Sequence, residues 1–202
     1  MSMTMEDIDK QIVENPITKE EAREQFVRMT EYFGLKHTFT FDEAWEATQE
    51  LKRRREYREN VAKFQEECLK NGSMHSGEIV DEYNPLKHSF ADGMYIREII
   101  NPKNQLLVTK IHKQKHPFFL LYGKMSIVTE NGVEHLEGPS YGITSPGTKR
   151  IIYTHTECKF VTVQRTDKTD LDEIEEELIC KDFSDPAVTS EDLELLMGGF
   201  KQ

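Results

Sequence analysis

The 202 residues are 37% hydrophobic, enough apolar material for one core with extensions rather than several domains. The net charge of −11 sits mostly in the tail, where 12 acidic and 3 basic residues lie between Asp167 and Gln202; a surface of that sign repels phosphate backbones and disfavours general nucleic-acid binding. The opening MSMTMEDIDK has no basic stretch followed by an apolar run, and no long apolar segment appears anywhere, so a cytoplasmic protein without a membrane span is expected.

Residues 1–72 read as a helical arm. Thr18-Lys19-Glu20-Glu21 has the spacing of a capping box, in which a Thr hydroxyl and a Glu carboxylate satisfy each other's backbone N–H groups at a helix start. Ala22, Phe26, Met29 and Phe33 follow at helical spacing, and Gly34 is the expected stop. A second box, Thr40-Phe41-Asp42-Glu43, opens a longer helix whose face runs through Trp45, Leu51, Tyr57, Val61, Phe64 and Cys68 to Asn71-Gly72. Within it Lys52-Arg53-Arg54-Arg55 and Arg58 cluster like a phosphate-binding patch, but Glu50, Glu56 and Glu59 stand four residues from Arg54, Lys52 and Arg55, which predicts a solvated, internally paired face. Residues 73–93, rich in Gly, Ser, Asn and Asp without periodicity, read as a connecting loop.

From Met94 the pattern changes to short runs of β-branched and aromatic residues: MYIREII, QLLVTKIH, FFLLY, MSIVT, VEHLE and KFVTVQRT. Turn signals break them at Asn101-Pro102, Gly123, Asn131-Gly132, Gly138-Pro139 and Pro146-Gly147. Asn131-Gly132 has the composition of a type I′ hairpin turn, with positive φ at both central positions. Strands this short and closely spaced over 94–166 predict a barrel or sandwich rather than a parallel sheet. Residues 167–202 form an acidic tail in which DLDEIEEELI reads as a helix with Leu171, Ile174 and Leu178 on one side, and a second helical segment is expected from Ser190. Cys68, Cys158 and Cys180 are odd in number and far apart, which supports neither a disulfide framework nor a cysteine zinc site.

The stretches KIHKQKHPFFLLYGKMSIV and YGITSPGTKRIIYTHTECKFVTV resemble the two histidine motifs of the cupin superfamily, with Gly123 as the first motif's glycine and Pro146-Gly147 as the second motif's turn. The resemblance spans roughly a third of the chain and is similar to that of small cupin-like proteins of bacterial and tailed-phage genomes. It implies a mainly β fold with helical extensions: a cupin-like jelly-roll (double-stranded β-helix) barrel with N-terminal helices and a C-terminal helix. Aligned on Gly123, the family's first-motif histidines fall on Lys110 and His112, its glutamate on His116, and its second-motif histidine on Arg150. Those positions are metal ligands pointing into the barrel in the family, and a lysine and an arginine, cationic at neutral pH, do not ligate metals.

Two site chemistries follow from the resemblance. With all four positions facing inward, Lys110, His112, His116 and Arg150, with Tyr122 beside them, would form a cationic pocket for a small anionic or polar molecule such as a sugar phosphate or nucleotide. In the other, His112 and His116, joined by His155 or His135, would hold one divalent metal (Zn, Ni, Mn or Fe) in a sugar-phosphate isomerase, epimerase or dioxygenase. A barrel with Lys110 and Arg150 turned outward would instead be an interaction scaffold. His37, His75, His88 and His135 read as surface or loop residues. Since barrels of the family pair through sheet edges or swapped N-terminal segments, a homodimer is expected.

Overall fold

The computed structural model describes residues 17–34, 40–72, 83–190 and 192 and divides into two units, one reaching Glu50 and including 195–202, the other Leu51–Glu194. His37, His75, residues 73–82 of the expected loop and most of the helix expected from Ser190 lie outside the described residues.

In the first unit, α1 (Lys19–Phe33) begins at the expected box: Glu21 N–H donates to Thr18 Oγ1 (3.2 Å) and Thr18 N–H to Glu21 Oε2 (2.8 Å). Gly34 ends it in the left-handed conformation. The helix packs on the start of α2 (Phe41–Lys70) through an edge-on contact between Phe26 and Phe41, 5.7 Å between centroids, and through Asp42, which receives both Arg23 (2.9 Å) and Lys19 (2.8 Å). Thr40 and Glu43 make the second box.

The second unit is built on two antiparallel sheets. One has the strand order β1-β2-β10-β5-β8, the other β3-β9-β6-β7. The strands are β1 (Leu86–Ala91), β2 (Met94–Asn101), β3 (Leu106–Val108), β5 (His116–Tyr122), β6 (Lys124–Thr129), β7 (Gly132–Glu137), β8 (Ser140–Thr144), β9 (Ile151–Thr154) and β10 (Cys158–Arg165). A two-stranded ladder joins β4 (Ile111–His112) to β11 (Ile179–Cys180), which follows α3 (Leu171–Leu178). Leu120 and Cys158 from the first sheet meet Met125, Ile127 and Ile152 from the second in a dry core, so the inner faces of both sheets close on one another. Neighbouring strands that are distant in sequence, with both sheets antiparallel, make this the cupin-like jelly roll that the resemblance implies.

Three strands depart from the expected boundaries, for local reasons. β1 lies inside the stretch read as connecting loop: Asp92-Gly93, both at positive φ (42° and 77°), forms a tight turn that folds Leu86–Ala91 onto β2. β8 and β9 were hidden in turn-rich sequence. At the other hairpin, Thr129 pairs with Gly132, so the loop is Glu130-Asn131 and the positive φ (113°) falls on Gly132 alone; the type I′ turn is not formed. Gly123 is needed where it stands, because a Cβ there would lie 2.3 Å from the Glu157 carbonyl oxygen. On α3, Ile174 and Leu178 pack against Tyr95 as expected, while Leu171 is exposed. No described helix is long and apolar enough to cross a membrane.

Candidate functional site

The inner face of the five-stranded sheet changes character along its strands. At one end Leu120, Phe160 and Cys158 belong to the apolar core. At the other, His116 opposite Thr144, Thr162 opposite Phe118, and Gln164 on β10 turn inward, all buried. His112 on β4 adds its ring, 4.3 Å between centroids from that of His116.

Burial governs the chemistry of this pair. Desolvation first, then the neighbouring His116, Arg97 and Arg150, push His112 down to about 3, against the opposing effect of the Gln164 amide. His116 is lowered for the same first reason, opposed by the Gln114 carbonyl 3.0 Å from its Nδ1. Both rings are therefore neutral at physiological pH. His112 Nδ1 and Gln164 Oε1 are buried without a partner at bonding geometry, although the amide is near enough to favour the imidazolium.

Arg150 is the third member. Its Nη1 donates to Thr144 Oγ1 at 2.8 Å and its guanidinium lies over the Phe118 ring, 5.3 Å from the centroid. Gly142 leaves room for that ring, since a Cβ there would come within 2.6 Å of it. Burial lowers the Arg150 pKa, and Glu130 and Glu134 offset this only in part.

Beside Arg150 opens a cavity of about 240 Å³, walled by Arg54, Tyr57 and Arg58 of α2, Glu130 and Glu134, and the Ser145–Lys149 turn. The Tyr57 hydroxyl, 2.7 Å from the Val128 carbonyl and 2.9 Å from that of Lys149, ties α2 to this rim. Its pKa is pushed up to about 12, chiefly by burial and then by Glu130, so it remains a donor. Arg58 grips Asp192 with both terminal nitrogens (2.5 and 3.0 Å), and Arg54 lies 3.9 Å from the same carboxylate. These two cations therefore reach across to a partner outside the helix. Lys149 is half-buried, and desolvation lowers its pKa.

The structure thus gathers His112, His116 and Arg150 and leaves two expected members outside. Lys110 is exposed and paired with Glu175 at 2.5 Å. The strand breaks at Thr109-Lys110 and resumes at Ile111, so the alternation that would have aligned Lys110 with His112 does not carry through. Tyr122 is exposed and donates to Glu157 (3.1 Å), because the register shifts between Lys159 and Phe160 opposite it. Thr144, Gln164, Tyr57 and Lys149 were not anticipated; Lys149, next to Arg150, was the one with a signal in sequence. His88, expected at the surface, is half-buried and stacks on Tyr95 with its Nδ1 2.6 Å from the Tyr95 hydroxyl.

A metal does not fit the interior pair. The positive charges of Arg97 and Arg150 bear on His112 and repel a divalent cation there, and among the described residues no three His, Cys, Asp or Glu side chains come together at this pair or elsewhere. The histidines that might have completed it are elsewhere: His135 and His155 lie on the outer face of the four-stranded sheet, both bonded to Ser126.

No protein-family model and no curated protein matches the chain. Among solved structures it is similar to the cupin domain of Schizosaccharomyces pombe Cnp3 (TM-score 0.36, 14% identity), over 41% of this chain and 64% of that one, less than two thirds of its length. It is also similar to ectoine synthase from P. lautus (TM-score 0.39, 10% identity, 46% and 71%) and to an acetylacetone dioxygenase from Acinetobacter johnsonii (TM-score 0.35, 18% identity, 46% and 74%). Likenesses of this size assign no activity.

Proposed function

We propose that the barrel binds a small anionic metabolite, one carrying a phosphate or carboxylate group, in the cavity beside Arg150. The observation that supports this most is the pairing of Lys149 and Arg150 on the cavity wall, two cations that burial destabilises, Arg150 with only partial compensation from Glu130 and Glu134. An anion entering there would replace lost hydration with charge-assisted hydrogen bonds, and a guanidinium already held by Thr144 and Phe118 loses little freedom in making them. At about 240 Å³ the cavity lies below the ~300–1,000 Å³ of drug-sized pockets, which suits a small ligand. The neutral His112 and His116 stand behind Arg150 and would keep it oriented without adding charge.

Thermal unfolding with inorganic phosphate, then with phosphorylated and carboxylated metabolites, tests this reading. Stabilisation should grow with ligand concentration, reaching about 2.7 kcal/mol at a hundredfold excess over Kd. Arg150→Gln should weaken binding about tenfold or more, the scale of one charge-assisted contact. Binding unchanged in Arg150→Glu would sink the proposal.

A further inference from the structure

We propose that His135 and His155, gathered around Ser126 on the outer face of the four-stranded sheet, form a site for a divalent transition-metal ion. His135 on β7 stands directly opposite Ser126 on β6, and Tyr153 on β9 flanks Ser126 on its other side. His155 follows immediately, where its backbone N–H donates to the Lys124 carbonyl (2.8 Å) and fixes the turn. Two imidazoles thus lean from opposite sides onto one oxygen: Ser126 Oγ is 2.8 Å from His135 Nδ1 and 2.6 Å from His155 Nε2. The ring centroids are 6.5 Å apart.

This convergence brings two imidazole nitrogens to one point; among the described residues no third His, Cys, Asp or Glu joins them, so the remaining ligands would be water. The serine hydroxyl has a single proton, so one ring accepts it while the other donates an N–H; a tautomer change in the second ring turns both lone pairs inward. Metal–imidazole bonds of about 2.0–2.1 Å are shorter than the 2.8 and 2.6 Å contacts to Ser126 Oγ, so both exposed rings would close in by about half an ångström or a little more. Rotation of Ser126 about χ1 vacates the point between them or leaves its oxygen as a weak third ligand. Both histidines are exposed, so water can complete the coordination sphere without burying charge. The electrostatic setting also differs from that of the interior pair. On this face Lys124 and Glu137 neutralise each other at 3.0 Å, and Tyr153 packs edge-on against His155, 5.1 Å between centroids, restricting its ring. Two imidazoles with open positions suit Cu(II), Ni(II) or Zn(II), with Cu(II) held most tightly.

Calorimetric titration of the tag-free full chain with each metal alone tests the site. One equivalent is expected. His135→Ala or His155→Ala should weaken it about tenfold or more, with His112→Ala unchanged. Ser126→Ala, which keeps both rings, should stay within about threefold of the parent. In Cu(II)-loaded protein, coupling of the electron spin to two nitrogens should reduce to one in either histidine variant. Unchanged affinity in both histidine variants, or loss only in His112→Ala, would overturn the assignment.

Discussion

A single buried imidazole makes this fold sensitive to acid in a definable window. His112 is near its ordinary value of 6.5 in the unfolded chain and falls to about 3 when folded; between those limits the unfolded state binds the extra proton, so stability declines as pH falls below about 6.5. At about pH 5 this amounts to about 2 kcal/mol from His112. His116 shifts in the same direction and adds to it. Carboxylates act lower: Glu98, held down by hydrogen bonds from Lys159 and then Lys87, gives up its contribution only as pH falls below its ordinary 4.5. Urea unfolding between about pH 7 and about pH 5 therefore isolates the histidines. His112→Gln, which cannot titrate, should flatten that dependence; an equally steep loss in the variant would show that the buried ring is not its source.

Among the elements, α2 is tied to the barrel rim through the Tyr57 phenol. Tyr57 supplies the hydroxyl that reaches the β6 end and the β8–β9 connection, so Tyr57→Phe leaves half-buried carbonyls without their donor. A loss of about 1–2 kcal/mol in unfolding free energy is expected, together with faster proteolysis within the helix; unchanged stability would mean that water replaces the hydroxyl. Such long-range ties were invisible in the sequence, whereas local signals were readable. Both capping boxes, Gly34, Gly123 and most strands of the barrel could be read from spacing and turn residues. The candidate site was readable only where a motif position coincided with an inward position, on a strand at His112 and His116 and in the connection just before β9 at Arg150. Lys110 was misplaced because nothing in QLLVTKIH marks the break that ends the alternation. Tyr122 was misplaced by a one-residue register shift. Gln164 and Thr144 acquire meaning only once β10 and β8 flank β5, a pairing across distant sequence.

The outward face of the five-stranded sheet determines what the molecule as a whole presents to other molecules. Phe119 and Tyr141 stand side by side there, 6.3 Å between centroids, with Tyr141 77% and Ile143 55% exposed. On the same sheet Glu98 is paired with Lys159 (2.6 Å) and Lys87 (3.2 Å). Glu98 against two lysines leaves that part of the sheet with one net positive charge, so it is the apolar part around Phe119, Tyr141 and Ile143 that we propose pairs with a second copy of the chain. Light scattering coupled to size exclusion should report twice the chain mass of 23.6 kDa. Tyr141→Arg combined with Ile143→Arg places two cations from each protomer at the shared axis and should return the protein to its monomer mass without changing thermal stability at high dilution. A parent protein that elutes as a monomer at high micromolar concentration would rule out this pairing and leave the face for a different partner. The cavity beside Arg150 is lined chiefly from α2 and the β6–β7 and β8–β9 connections, but Ile143 lines it too, so anion binding and self-association separate only in a variant that spares Ile143: Tyr141→Arg alone should retain phosphate-induced stabilisation while lowering the dimer mass, and Arg150→Gln should retain that mass.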